Sequence, residues 1–140
     1  MIALPAQPRT PFGYVIACHG AVIRAQLSGV ATLVSVTGGR TTQWDDVVVA
    51  HLRRFTKLDR PLILDVSGAD GAQRGLLRNL VATVERGCDA KGNHLVLVAE
   101  PVQRRALDLR DRTLITSSVG EALQRIAGLV RTGRNRPYIA

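Results

Sequence analysis

Residues 61–81 read PLILDVSGADGAQRGLLRNLV, and the fold turns on how they are read. Pro61 to Val66 is a short, almost continuous apolar run bounded by turn residues, the pattern of a strand buried on both faces. Ser67-Gly68-Ala69-Asp70-Gly71 is a loop, because its glycines permit backbone angles that other residues resist and Asp70-Gly71 is a turn pair. From Leu76 the apolar spacing is helical, with Leu77, Leu80, Val81, Val84 and Cys88 on one face. The unit is strand, tight loop, helix start. It brings backbone N–H groups and the positive end of a helix to the surface, a natural place for recognition.

Upstream, Tyr14–Cys18 and Ala21–Leu27 read as strands broken at His19-Gly20, either a hairpin or one long bent edge strand. Ala31–Val36 is a third strand, rich in β-branched residues. Thr42-Gln43-Trp44-Asp45 has the form of a capping box. It opens a helix whose buried stripe is Trp44, Val48, Leu52 and Phe55. Downstream, Arg86-Gly87 and Lys91-Gly92 are expected to close the second helix and its turn, and His94–Ala99 is a further buried strand. Glu100-Pro101 starts a helix with Val102, Ala106 and Leu109 inward and Arg104, Arg105, Arg110 and Arg112 outward. Thr113–Thr116 is a short strand. Ser118-Val119-Gly120-Glu121 caps a last helix that buries Ala122, Leu123, Ile126 and Val130. Strands alternate with helices, which predicts an α/β layered domain with a mixed sheet and four helices over residues 13–130. Residues 1–12, with three prolines and no periodicity, are expected to form a flexible arm, and residues 131–140 a basic tail.

The length, 140 residues, suits one domain, and an apolar fraction of 46% predicts a real core. No apolar run approaches the ~18 residues of a membrane span. The N-terminus has no charged segment followed by an apolar stretch, so a cytoplasmic location is expected. Cys18 and Cys88 lack metal spacing and are expected to be buried and reduced, the alternative being a redox-sensing disulfide, which needs their Cα atoms within ~7 Å. The net charge is +8 at pH 7, carried almost wholly by arginine. Such a balance fits an acidic protein surface or nucleic acid as partner. The arginines are spread along the chain, so the charge equally fits a compositional bias unless the fold gathers them.

The strand end Asp65-Val66-Ser67-Gly68 resembles the Asp-apolar-Ser-Gly motif of the STAS domain, the fold of bacterial anti-sigma-factor antagonists. In that family an Asp-Ser-Ser-Gly-Leu motif follows at the helix start, its first serine being the phosphorylation site. Gly75-Leu76 matches its Gly-Leu, which puts Ala72, Gln73 and Arg74 in the Asp-Ser-Ser positions and leaves no phosphoacceptor. The family's Gly-apolar-Asp turn is represented by Gly39-Arg40-Thr41, without the acidic residue. The resemblance covers about residues 30–130 and implies a STAS-like single domain. It also implies a partner class, an anti-sigma factor or similar regulator, bound without the usual serine switch.

No catalytic constellation is present. His19, His51 and His94 lie in three separate elements. Asp65 is expected to be satisfied by loop N–H groups rather than to act as a base. Gly68-Ala69-Asp70-Gly71 lacks the Lys-Ser/Thr of a phosphate-binding loop. The chain is therefore expected to be no enzyme and to need no cofactor or metal. The expected partner surface is the loop Gly68, Ala69, Asp70, Gly71, Gln73 and Arg74, the helix position Arg78, and the adjacent Gly39, Arg40 and Thr41. Arg74 and Arg78 suit a partner carboxylate. The alternative is a basic domain that binds nucleic acid or a ribonucleoprotein, though no aromatic–basic interleaving suggests base stacking.

Overall fold

A computed structural model describes residues 13–39, 41–69, 74–107 and 113–131. Among them the chain forms a six-stranded mixed sheet and four helices, an α/β architecture compatible with the STAS-like expectation. The strands are β1 Gly13–Cys18, β2 Ala21–Leu27, β3 Thr32–Thr37, β4 Leu62–Asp65, β5 Leu95–Val98 and β6 Leu114–Thr116. They lie side by side in chain order. The first three pair antiparallel and β3 to β6 pair parallel. The helices are α1 Asp46–Arg53, continued by a 3-10 turn Arg54–Lys57, then α2 Arg74–Lys91, α3 Pro101–Ala106 and α4 Val119–Arg131.

The β1–β2 connection is a hairpin. His19 (φ 52) and Gly20 (φ 88) are both left-handed, as a two-residue type I′ loop requires. The sheet is covered on both faces over its parallel half, which explains the unbroken apolar runs there. On one face Trp44, Val48, Leu52 and Phe55 pack with Leu77, Leu80, Val81, Val84 and Cys88 against Leu62, Leu64 and Leu97. On the other, Ala122 and Ile126 of α4 meet Ile63, Val96 and Val98. The strands advance one place per crossover while α1, α2 and the segment after α3 stay on one face, as crossovers of a single hand require. The chain end then folds α4 back over the opposite face.

Several local expectations are corrected. The cap of α1 is Asp45, whose carboxylate accepts from Val47 and Val48 N–H. Thr42 cannot serve, because its Oγ1 accepts from Gly39 N–H and donates to Gly20 O, and the chain does not become helical until after Trp44, which is buried in the core. Helix α2 does not stop at Gly87. Its missing Cβ would stand 2.4 Å from Thr56 Oγ1, so the glycine lets α2 lie against the 3-10 turn, and left-handed Gly92 (φ 77) ends the helix instead. Val102 points outward at 70% exposure. Helix α3 is only six residues long and turns Gln103 inward, and Leu107, just past its end, is buried. Arg104 is half-buried, its guanidinium donating to Ala99 O and Ser117 Oγ. Ser118 Oγ caps α4 by accepting from Glu121 N–H, but Glu121 reaches back to Ser117 N–H rather than to Ser118. Arg131 belongs to α4 rather than to the tail. Leu109, Arg110, Arg112 and the segments 1–12 and 132–140 lie outside the described residues.

Both cysteines are free thiols; Cys88 is buried as expected, whereas Cys18 is half-buried. Burial, with Asp89 and Glu85 nearby, pushes the Cys88 thiol up to about 12. No described helix is long and apolar enough to cross a membrane.

Candidate functional site

The C-terminal ends of the parallel strands form one rim, and α1, α2, α3 and α4 all start from it. This is the edge of an open α/β sheet at which ligands and partners ordinarily meet the protein. The β1–β2 turn reaches the same end, because β2 begins beside the end of β3: Val22 pairs with Thr37.

Three connections tie the rim together. Gly38 N–H donates to Gly68 O at 3.1 Å, and Gly38 and Ala69 form an isolated parallel bridge that prolongs the β3–β4 pairing into the loops. Neither glycine can carry a side chain without displacement. A Cβ on Gly38 would stand 2.5 Å from Thr42 Oγ1 and 2.7 Å from the Trp44 ring, and one on Gly68 would stand 2.5 Å from Thr37 Cγ2. The β1–β2 turn is held by Gln43 N–H donating to His19 O, by Thr42 Oγ1 on Gly20 O, and by the His19 Nδ1–Asp45 Oδ2 contact of 2.7 Å. Gln103 Nε2 donates to Val66 O at 2.8 Å, which joins α3 to the loop after β4.

Asp65 closes the strand end as expected of a structural residue. Its Oδ1 accepts from Ser67 N–H at 2.9 Å and from Ser67 Oγ at 2.6 Å. Ser67 is thereby occupied in holding the turn. At Asp45 desolvation raises the carboxyl pKa, but the His19 hydrogen bond and the Val48 and Val47 N–H groups outweigh it and leave the group below its ordinary value.

The expected site residues separate into three groups. Gly39 and Thr41 are exposed on the rim, and Gly68 is half-buried at the loop crossing. Ala69 is 2% exposed and is a packing residue beneath the rim rather than a contact on it. Arg74 is the first residue of α2, and Arg78 is exposed one turn further along. Arg40, Asp70, Gly71 and Gln73 lie outside the described residues.

Sequence reading missed the apolar part of the rim. Val47 (45% exposed), Leu76 (39%) and Val102 (70%) stand in the first turns of α1, α2 and α3. They are three of the five large apolar side chains exposed among the described residues, and all three border the same edge. Periodicity does not mark them: Val47 and Leu76 each precede a buried residue, Val48 and Leu77, and Val102 has the spacing of a core position. The rim thus combines fixed backbone, exposed apolar side chains and the exposed Arg78.

The chain is similar to Osmosensory protein A of Mycobacterium tuberculosis, 33% identical over 82 residues. The matched stretch is 59% of this chain and 51% of that protein, so the chain spans about half the length of the relative it matches. No protein-family model matches the chain, and no solved structure does so significantly.

Proposed function

We propose that the chain is a non-enzymatic regulatory module that docks an anti-sigma factor or related regulatory protein through the rim. The observation that carries the reading is the placement of Val47, Leu76 and Val102 on the helix starts around the braced Gly38–Gly68 crossing. The motif Asp65-Val66-Ser67-Gly68 and the strand–helix order resemble those of anti-sigma-factor antagonists. The similarity to a protein named for osmosensing is in keeping with a regulatory role. In the resembled family, phosphate at the helix start adds about −1.5 to −2 charge and breaks the contact. Here Ala72, Gln73 and Arg74 stand at those positions and offer no hydroxyl, so the interaction is set by partner supply rather than by a kinase.

The test is affinity capture from native cells with the wild-type chain and with Leu76→Asp/Val102→Asp. Burying each side chain at an interface is worth about 1.5–3 kcal/mol, so the double variant loses its specific partner by more than about tenfold. A captured set unchanged by the two substitutions refutes the reading, as does a partner lost only when Arg125, away from the rim, is reversed in charge.

A further inference from the structure

The fold gathers a share of the positive charge that is scattered in sequence. Where the 3-10 turn after α1 lies against α2, a groove of about 540 Å³ opens between two basic banks. Arg53 and Lys57 line one bank, Arg86 and Lys91 the other, and all four are exposed. Lys91 meets Asp59 at 2.9 Å, a largely solvated pair, and Arg86 donates to Thr83 Oγ1. The Arg53 and Lys57 side chains make no ion pair with any described residue. Between the banks lie Thr56, Thr83, Gly87 and Ala90, and the lining as a whole is predominantly apolar. Gly87 keeps the floor low, since a Cβ there would meet Thr56 at once. The groove follows the C-terminal end of α1, whereas the rim borders that helix's start.

We infer that this groove takes a short, acidic, amphipathic segment of a partner protein, with apolar side chains on the floor and carboxylates against both banks. Charge complementarity from two sides selects an anion, and arginine on each bank pairs carboxylates in bidentate fashion. The predominantly apolar lining favours a peptide over a sugar-phosphate backbone, which would leave it bare. No aromatic side chain lines the groove for a base to stack on. The inference uses no residue of the rim and stands apart from the proposal above.

The experiment is a fluorescence-anisotropy titration of the full chain with three labelled probes. These are a helical peptide with glutamates and leucines on separate faces, the same peptide with glutamine for glutamate, and a single-stranded RNA. Arg53→Glu/Arg86→Glu is compared with Arg105→Glu/Arg125→Glu, an equal charge change at exposed positions of α3 and α4. Circular dichroism establishes that both remain folded. The acidic peptide is expected to bind, to weaken with salt, and to weaken about tenfold or more in the groove variant but not in the other. Leu76→Asp/Val102→Asp leaves this binding unchanged. The inference is overturned if the acidic peptide fails to bind at about 1 mM, if both charge variants weaken it equally, if the glutamine peptide binds as well, or if RNA binds more tightly through the same residues.

Discussion

Gly68→Ala tests whether the rim is held by close approach of the β3 and β4 loops. No left-handed angle is involved, so alanine fits the backbone and the whole effect lies in space. The new Cβ would stand 2.5 Å from Thr37 Cγ2, 3.3 Å from Thr37 Cβ and 3.6 Å from its Cα. Ordinary carbon contacts lie near 3.5–4.0 Å, so a shift of about 1 Å is forced. Thr37 cannot simply rotate, because a β-branched χ1 is stiff and its Oγ1 is directed at Val22 O. Overpacking of this kind costs about 1–3 kcal/mol. Restricting the unfolded chain returns about 0.4–1 kcal/mol. The net loss is about 1–2 kcal/mol, which lowers the urea midpoint by roughly 0.5–1 M for a domain of this size. Thr37→Ser keeps the hydroxyl and removes the obstructing methyl. In that background Gly68→Ala should be neutral or slightly stabilising, a coupling of about 1–2 kcal/mol. If the alanine costs the same in both backgrounds, the loops are not held by this contact and the account of the rim as a braced edge is wrong.

Two further outcomes follow from the titratable groups. Cys88 should resist a thiol reagent at neutral pH until the chain unfolds, while half-buried Cys18, raised by desolvation and by Asp45, should react slowly in the native state. Because the folded Cys88 thiol sits above its unfolded value, its contribution is complete below about pH 8.5 and is lost as pH rises toward 12. Cys88→Ala should flatten the alkaline arm of a stability-against-pH curve, and an unchanged slope would contradict the burial argument. Asp45 runs the other way. Its folded pKa is depressed, so its contribution holds above the ordinary carboxylate value of about 4 and is lost as pH falls through the lower folded value. Thermal melts should show Asp45→Ala less stable than Asp45→Asn, which keeps an oxygen for the Val47 and Val48 N–H groups. Equal melting would mean that Asp45 does not cap α1.

The alternation of strands and helices was legible because burial on both faces imposes continuous apolar runs, and burial on one face imposes helical spacing. Pro61 to Val66 and Leu77 to Cys88 show both cleanly. Capping was less legible. Thr42 and Asp45 are both good cap residues, and the choice between them was made by Gly20 O and Gly39 N–H, groups from elsewhere in the fold. Gly87 reads as a helix stop when only its own chain is considered. Its meaning comes from Thr56, thirty-one positions earlier in the numbering, packed where a Cβ would be.

The rim and the groove are hidden in the sequence for one reason: each is made by bringing helix ends together, and helix ends carry no periodic signal. The spacing of Val102 from Ala106 fits a buried stripe and points to a core position. Helix α3 is too short to keep that register, and Gln103, drawn to Val66 O, rotates Val102 out onto the rim. Likewise Arg53 and Lys57 are four apart, and Arg86 lies one turn before Ala90 and Lys91, yet neither set marks a groove until the 3-10 turn meets α2. That meeting depends on a glycine with no side chain. A single contact between Gly87 and Thr56 therefore converts two unremarkable solvated faces into one basic cleft, and a residue chosen for packing sets where the charge is felt.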